Sequence, residues 1–369
     1  MIIFVPAMLD SFLLFPYWLA LKWRHRRYDS GKLKAVRAEV PTICVGNITV
    51  GGTGKTPHVE LILRMLLNSD EWAMRNIAVL SRGYKRKSDG FRDVEISGSA
   101  LLCGDEPVQI KKKFPVVHVA VDADRVDGCR RLCHPQSEDA RPADIIVLDD
   151  AFQYRALRAD LNILLVDYNR PVHSDMLLPL GRLRDLRERL WEADVIVVTK
   201  CRETLDETEK EEFAAQMGLL DYDCYDHLAT TPTGKRIWVY FSYICYEPCE
   251  PMFEESNPRF IYSKKAVLVT GIARNSMLCA HLGARYELLR SFDFPDHHRF
   301  TKRDFRRIMS VVKHHPTAAV LTTEKDAQRI LDAADVPQML RERMFYLPIR
   351  AEFVTPSERS SFRSRIVRP

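Results

Sequence analysis

The sequence predicts an α/β protein built on a doubly wound, mostly parallel sheet. Short apolar runs rich in β-branched residues alternate with polar stretches that are compatible with helices. Such runs are typical of parallel strands that helices cover on both faces. They occupy residues 76–83, 115–122, 144–150, 161–167 and 194–200. In a sheet of this kind, ligands gather at the carboxyl ends of the strands.

The chain is long enough for two domains. Its 369 residues include 46% hydrophobic residues, which can fill sizeable cores. We expect an N-terminal helix over residues 1–28, a core domain over 29–234 and a smaller C-terminal α/β domain over 235–369. The strands predicted for the smaller domain lie near 237–240, 266–270, 318–322 and 344–348. The Gly-Lys pair at 234–235 lacks a glycine run and precedes a strand, so we interpret it as a turn.

Charge and cysteine usage exclude several classes of protein. The net charge of +5 is mild for this length, and the chain carries no basic low-complexity tail. We therefore expect no nucleic-acid partner. The nine cysteines lack the spacing of a zinc knuckle, a CxxC redox pair or a disulfide framework. Reduced thiols in a cytosolic compartment fit this usage, and nothing indicates an obligate protein partner.

A glycine-rich segment, VGNITVGGTGKTP at 45–57, follows a short apolar run and leads into a helix-like stretch. Its glycines free the backbone to aim N–H groups at phosphate oxygens beside a helix N-terminus. Lys55 can neutralise the β- and γ-phosphates, and the Thr56 hydroxyl can ligate Mg²⁺. The usual pattern has glycine where this chain has Thr49. The predicted nucleotide-binding residues are Thr49, Val50, Gly51, Gly52, Thr53, Gly54, Lys55 and Thr56.

Two acidic pairs are candidate catalytic or metal-binding residues. Asp149 and Asp150 end an apolar run, the arrangement in which a strand-end carboxylate faces the Mg²⁺ beside a phosphate-binding loop. Asp105 and Glu106 precede Pro107, which can open a helix and so place both carboxylates at its N-terminal end. Helix capping alone is the alternative for both pairs.

Histidines and arginines supply further candidates. Within FDFPDHHRF, a general base or a phosphate contact is a more economical use of His297 and His298 than a metal site. Arginine forks match phosphate oxygens, although a solvated, salt-bridged surface is the alternative. If the segment LLPLGRLRDLRERL is helical, Arg182 and Arg189 share a face. The candidate phosphate-contacting arginines are Arg82, Arg125, Arg182 and Arg184.

The N-terminal segment combines an apolar run with a basic cluster at residues 22–27. A signal peptide would carry its positive charge before the apolar core and end in small residues, and this segment does neither. Asp10 and two prolines argue against a membrane-spanning helix. An amphipathic helix that lies in the membrane interface fits better. The alternative is an N-terminal core helix capped by a basic turn.

Several motifs together resemble the tetraacyldisaccharide 4′-kinase family of the lipid A pathway in Gram-negative bacteria. They are VGNITVGGTGKTP, LSRGYKRK, GDEPVQI, VLDDAFQ, LLPLGRLRD, FPDHHRF and TTEKDAQR, which follow the family's order across residues 45–329. The resemblance implies a P-loop NTPase-type fold that uses ATP and Mg²⁺. It implies phosphorylation of the 4′-hydroxyl of a tetraacyl disaccharide 1-phosphate to give lipid IVA. It also implies a peripheral or monotopic position on the cytoplasmic face of the inner membrane, whose lipid surface becomes a partner.

The resemblance also implies residue roles. The catalytic residues would be Asp105 as the base, His297 as its orienting histidine, and Lys55. The metal-binding residues would be Thr56, Glu106, Asp149 and Asp150. The substrate-phosphate contacts would be Arg125, Arg182 and Arg184, whereas Arg82 is a candidate from its strand-end position alone. His298 receives no role.

Two functions from other classes stay open at this point. A P-loop switch or metallochaperone would use the histidines and cysteines as metal ligands. A P-loop protein that recognises the guanine base normally carries N-K-x-D after a strand. The segment VTKC at 198–201 lacks both the Asn and the Asp. A soluble small-molecule kinase would leave the apolar N-terminal segment unexplained.

Overall fold

The computed structural model describes residues 4–137, 140–272, 275–333 and 335–369, with side chains from Leu14 onward. The strands are β1 (Thr42–Gly46), β2 (Ile77–Ser81), β3 (Arg92–Asp93), β4 (His118–Val121), β5 (Ile145–Asp149), β6 (Leu161–Asp167), β7 (Val195–Thr199), β8 (Leu220–Asp223), β9 (Leu228–Thr230), β10 (Arg236–Tyr246), β11 (Glu250–Pro251), β12 (Lys265–Thr270), β13 (Glu287–Asp293), β14 (Ala319–Thr323), β15 (Met344–Leu347) and β16 (Ile349–Phe353). The helices are α1 (Phe4–Asp29), α2 (Lys55–Leu67), α3 (Ala100–Cys103), α4 (Asp105–Lys113), α5 (Arg125–Cys133), α6 (Glu207–Gln216), α7 (Ser276–Gly283), α8 (Lys302–His314), α9 (Glu324–Leu331), α10 (Gln338–Arg341) and α11 (Pro356–Val367).

The larger sheet has 11 strands in the order β3-β4-β2-β5-β1-β6-β7-β10-β9-β8, with β16 paired to β10. Its middle, from β4 to β10, is parallel throughout. Every residue of β1, β2, β5 and β7 is buried, because one apolar core covers each face of the sheet. The predicted doubly wound parallel sheet is therefore confirmed.

The smaller sheet has five strands in the order β11-β15-β14-β12-β13. It is parallel apart from β11, and two further apolar clusters flank it. The strands predicted near 266–270, 318–322 and 344–348 correspond to β12, β14 and β15. The chain enters this sheet after β10 and returns to the larger sheet through β16, so the smaller unit is an insertion between two paired strands.

The strand predicted near 237–240 does not open the smaller domain, and that expectation is wrong. It forms part of β10, which pairs with β7 in the larger sheet through Trp238 and Val195. Apolar side chains on both faces of β10 are buried, which suits an inner strand. By strand pairing, residues up to 246 and residues 349–353 belong to the larger sheet. The division at 234 into separate folding units stays a prediction.

Helix α1 contributes to the core and also exposes apolar side chains. Leu21 is buried in the larger unit and Tyr17 packs against it. Phe15, Leu19 and Trp23 are 57%, 50% and 60% exposed. The helix thus combines features of the interfacial helix and of the core helix considered above. Across the described part of the chain, no helix is long and apolar enough to cross a membrane.

A buried ion pair ties α11 back to the larger sheet. Lys210 Nζ lies 3.2 Å from Glu358 Oε1, and the same oxygen accepts the Phe241 N–H at 3.0 Å. Both side chains are almost fully buried. The C-terminal helix is therefore fixed to α6 and β10 by one carboxylate.

We expect Glu358→Gln to lower the free energy of unfolding by roughly 3–5 kcal/mol, because the Lys210 ammonium would stay buried without a charged partner. Denaturant unfolding measures the loss. Glu352→Gln is the matched control. Its partners Arg350 and Arg359 are about half exposed, so this change should cost less than about 1 kcal/mol. Equal losses in the two variants would contradict the account.

Candidate active site

The glycine-rich loop joins β1 to the N-terminus of α2, as its sequence predicts. Gly51 and Gly54 adopt left-handed backbone conformations, with φ of 103° and 84°, which residues with a Cβ adopt only at a cost. Gly54 caps α2, so the first backbone N–H groups of the helix point towards the loop. A helix N-terminus of this kind attracts anions.

Residues at the carboxyl end of β7 hold the loop by two of its backbone carbonyl groups. The Thr199 hydroxyl, at the end of β7, donates to the Thr53 carbonyl at 2.9 Å. The Lys200 ammonium donates to the Gly52 carbonyl and lies 2.8 Å from an oxygen of Asp167. Both contacts fix the backbone of the loop. Neither residue was singled out from the sequence for this contact, because each lies far from the loop along the chain.

Residues 176–187, here called the arm, pair with the outer edge of the loop. The Val50 N–H donates to the Arg182 carbonyl at 2.8 Å, and the Arg184 N–H donates to the Ile48 carbonyl at 2.9 Å. The helix considered for this segment is absent from the arm up to Leu186, and a 3₁₀ helix covers only Arg187–Glu192. Loop and arm enclose a space of about 10 Å³.

The arm brings Arg184 to Asp150, the second aspartate of the pair after β5. Its guanidinium donates to both oxygens of Asp150, at 3.2 Å for Oδ2. Lys55 Nζ lies 3.8 Å from the same Oδ2. Burial raises the pKa of Asp150, but the charges of Lys55 and Arg184 outweigh burial and the net pKa is lowered. Asp150 is thus an ionised partner that positions the P-loop lysine.

Asp149 is the better placed metal ligand of the two. It is buried at the end of β5, where burial first and then the charge of Asp150 raise its pKa to about 6. Ser81 donates to Oδ2 at 3.0 Å, while Oδ1 is buried without a hydrogen-bond partner. An orphaned carboxylate oxygen fits a cation ligand. In the described ranges, no group of three or more His, Cys, Asp or Glu could hold a metal by itself, so a Mg²⁺ ion at Asp149 would need ligands of other kinds, such as phosphate oxygens.

A second cluster forms around Asp105, the first residue of α4. Gly104 before it has a φ of 93°, and a Cβ there would lie 3.1 Å from Gly83 Cα. The buried Asp105 Oδ2 lies 3.2 Å from His297 Nδ1 and 2.7 Å from Arg329 Nε. Both partners come from the smaller unit. The structure thus brings together the predicted base and the predicted orienting histidine, which the chain separates by almost two hundred residues.

The electrostatics of the cluster keep Asp105 ionised. Burial would raise the pKa of Asp105, but the hydrogen bond from His297 and the charges of Lys325 and Arg329 hold it well below its usual range. Lys325 also lies 2.7 Å from Glu106 Oε1. Burial nevertheless raises the pKa of Glu106, and the charge of Glu106 contributes to the raised pKa of Asp149. The two clusters are therefore within electrostatic reach of each other.

Sequence reasoning missed Arg329 and Lys325 as members of the site. Arg329 also donates to Asp326 Oδ1 at 2.8 Å and to the Gly271 carbonyl at 3.1 Å. The motif TTEKDAQR contains both residues. A lysine and an arginine four residues apart on one helix face were the available signal.

A family model described as tetraacyldisaccharide-1-P 4′-kinase matches residues 8–367 of the chain. The chain belongs to this family. Two relatives named tetraacyldisaccharide 4′-kinase, from Parabacteroides distasonis and Porphyromonas gingivalis (strain ATCC 33277), are 38% and 37% identical over 96% and 93% of this chain, and over 92% of each relative. A crystal structure of LpxK from Aquifex aeolicus, described as an "apo" form in complex with ATP, is similar with a TM-score of 0.68. It shares 26% identity and the match covers 97% of this chain and 99% of that one.

Membership of the tetraacyldisaccharide-1-P 4′-kinase family confirms the resemblance found in the sequence. The chain is an ATP-dependent kinase of lipid A synthesis on a P-loop NTPase-type α/β fold. The switch and metallochaperone interpretations are set aside. The roles that the resemblance implies for individual residues are supported only by the geometry described above.

The four candidate substrate arginines of this family member fall into two groups. Arg82, at the end of β2, and Arg182, on the arm, are exposed. Arg125 is buried, donates to the carbonyls of Asp122 and Ala123, and has its pKa lowered by burial. Arg184 is engaged with the acid pair. Of these four arginines, Arg82 and Arg182 are thus the two whose side chains are exposed to solvent.

His298 lies apart from the catalytic cluster. Its Nε2 is 3.0 Å from Asp304 Oδ2, and its ring stacks on Phe294 with centroids 4.4 Å apart. Asp304 belongs to the capping box of α8. His298 therefore secures the start of a helix, whereas His297 has a φ of 62° and faces Asp105.

We expect Lys55→Ala to abolish kinase activity with little change in the thermal unfolding midpoint. We expect the ammonium to serve the triphosphate, and its ion pair with Asp150 is long and partly exposed. Transfer of radiolabelled phosphate from ATP measures the loss. Lys313→Ala, which removes an exposed lysine from α8, is the control and should retain activity. Turnover close to that of the unmodified protein in Lys55→Ala would remove this lysine from the mechanism.

Proposed function

We propose that this chain transfers the γ-phosphoryl group of ATP to the 4′-hydroxyl of tetraacyldisaccharide 1-phosphate, with Asp105 accepting the hydroxyl proton. The observation that carries the proposal is the contact between Asp105, at a helix start of the larger unit, and His297 of the smaller unit. The family assignment supplies the substrate class. The products are lipid IVA and ADP.

The glycine-rich loop would bind the phosphates of ATP. Lys55 and the N–H groups at the start of α2 would draw negative charge from the β- and γ-phosphates. Mg²⁺, when bound, supplies further neutralisation of the phosphate oxygens, and Thr56 and Asp149 would hold it. Asp150 keeps Lys55 in place from the strand end. Glu106 stands close enough to influence Asp149 electrostatically, which supports the metal-side role inferred for it.

Asp105 would act on the 4′-hydroxyl that accepts the phosphoryl group. As the 4′-oxygen bonds to phosphorus and the bond from phosphorus to ADP breaks, the hydroxyl proton passes to the Asp105 carboxylate. Its low pKa makes Asp105 a weak base. Phosphoryl transfer through a loose transition state needs little proton abstraction before the bonds change, so a weak but always ionised base suffices. His297 aligns the carboxylate.

Removal of this carboxylate should affect chemistry and spare ATP binding. We expect Asp105→Ala to lower kcat by about two to four orders of magnitude, the usual range for loss of a general base, with the Kd of ATP unchanged. Steady-state kinetics and ATP calorimetry measure the two quantities. A variant that lost ATP affinity and kept kcat would instead make Asp105 a nucleotide or metal ligand.

The two adjacent histidines provide a matched control. His297→Asn should lower kcat, because the Asp105 carboxylate loses its aligning partner. His298→Asn should retain most of kcat, because among the described residues the polar and ring contacts of His298 are with the start of α8 and with Phe294 and Phe300.

The same proposal includes work at the cytoplasmic face of the inner membrane, as a peripheral or monotopic protein. The acylated substrate stays in the leaflet, so the enzyme must meet it there. The exposed apolar side chains of α1 and its basic last turns support an interfacial position. A mainly apolar groove of about 410 Å³ lies between α1 and the arm, lined by residues that include Leu14, Trp18 and Leu183. Neither a nucleic acid nor an obligate protein partner is needed.

Substitution tests the membrane contact more cleanly than deletion, since deletion of residues 1–22 would also remove the packed Tyr17 and Leu21. We expect the double variant Leu19→Ser, Trp23→Ser to bind anionic vesicles more weakly and to lose more of that binding in high salt, because less apolar area remains beside the cationic attraction. Its activity on vesicle-embedded substrate should fall. Sedimentation with vesicles measures the binding, and Met74→Ser, which changes a 96% exposed side chain elsewhere, is the control. Unchanged vesicle affinity in the double variant would exclude this face from membrane contact.

A further inference from the structure

Asn47, the residue between β1 and the glycine-rich loop, is fully buried and uses every polar group of its side chain. Its Nδ2 donates to Thr53 Oγ1 at 2.8 Å, across the base of the loop. Its Oδ1 accepts from the Arg184 guanidinium. A buried amide with both ends satisfied fixes the groups that it joins, because breaking either bond would leave a polar atom unpaired. Asn47 therefore holds the loop in one position relative to its surroundings.

A series of hydrogen bonds, here called the first route, connects the N-terminal helix to Asn47 through the segment after β5. The Arg24 guanidinium, in the last turns of α1, donates to the Gln153 carbonyl at 3.0 Å. The Gln153 side-chain amide then donates to the Asn47 carbonyl at 2.9 Å. Two hydrogen bonds thus connect a helix that faces solvent with the start of the phosphate-binding loop.

A second route leads from the same helix to Asn47 through the arm. Tyr17 donates its hydroxyl to the Arg184 carbonyl at 3.0 Å. His25 Nε2 lies 2.6 Å from Asp185 Oδ1, and both of these side chains are buried. The Arg184 guanidinium completes the route, since it donates to the Asn47 carbonyl at 3.3 Å as well as to its side chain. Water screens such buried contacts little.

We propose that Asn47 is a positioning residue through which the N-terminal helix holds the phosphate-binding loop in place. The proposal rests on the proposed function only for the role of that loop in binding ATP. A helix that merely anchors the protein would leave ATP affinity independent of its own polar contacts. Convergence of two routes on one buried residue, at its backbone carbonyl and its side chain, predicts the opposite. Residues on the helix, remote from the nucleotide, should influence the affinity for ATP.

The test measures the Kd of ATP with Mg²⁺ by calorimetry on the full chain, without lipid. Arg24→Ala and Gln153→Ala each break the first route, and each should raise the Kd roughly two- to tenfold, the effect of one hydrogen bond. Asn47→Ala should raise it as well, because it removes the side-chain bonds to Thr53 and Arg184, although the backbone carbonyl that accepts from Gln153 remains. Leu19→Ser is the matched control from the same helix. It removes an exposed apolar side chain, so it should weaken vesicle binding and leave the Kd of ATP unchanged.

Thermal unfolding separates a local effect from loss of the fold. If Asn47→Ala does not fold, Arg24→Ala and Gln153→Ala decide the matter, because their contacts are only partly buried. An ATP affinity unchanged in both of these folded variants would overturn the proposal. Failure of the proposed function would look different, since the unmodified protein would then bind ATP without forming the 4′-phosphate.

Discussion

The carboxyl ends of β1, β2 and β5 lie side by side, and the whole phosphate side of the site depends on that adjacency. Parallel strands end at one edge of a sheet, so the loop after β1 and the acid pair after β5 must meet. Their register pairs Val45 with Asp149, and the Asp150 N–H donates to the Val45 carbonyl at 2.8 Å. β2 delivers Ser81 to Asp149 on the other side. No side-chain interaction has to bring these groups together, because the sheet has already done so.

The acceptor side of the site follows from the packing of two units. Asp105 begins α4, and Arg329, which holds it, lies 224 residues later on α9. The two helices are joined by further polar contacts, with Lys112 Nζ 2.8 Å from Gln328 Oε1 and Lys113 Nζ 2.9 Å from Glu324 Oε1. Separation of the units would therefore remove the partners of Asp105 and leave its pKa to rise. This arrangement links the ionisation of Asp105 to the contact between the units, and the role proposed for Asp105 would give the insertion between β10 and β16 a catalytic reason.

Local patterns in the sequence predicted local structure well. Apolar runs located the parallel strands, the glycine-rich motif located the loop, and Pro107 correctly indicated a helix that begins at Asp105. Contacts between distant segments were out of reach, since no local pattern states which strand or helix a segment will meet. The pairing of β10 with β7 and the hold of Arg329 on Asp105 are of this kind. A helix was considered for the arm because its arginines and leucines suit one, whereas the arm consists mainly of turns and bends, with isolated bridges at Leu177 and Leu183.

The central claim is that Asp105 and His297 act as one unit assembled from two parts of the chain. A double-mutant cycle on kcat, with Asp105→Ala, His297→Asn and the combined variant, tests it most directly. If His297 works by aligning Asp105, the combined variant should be no slower than Asp105→Ala alone. If the two single losses instead multiply in the combined variant, the residues act independently and the account is contradicted.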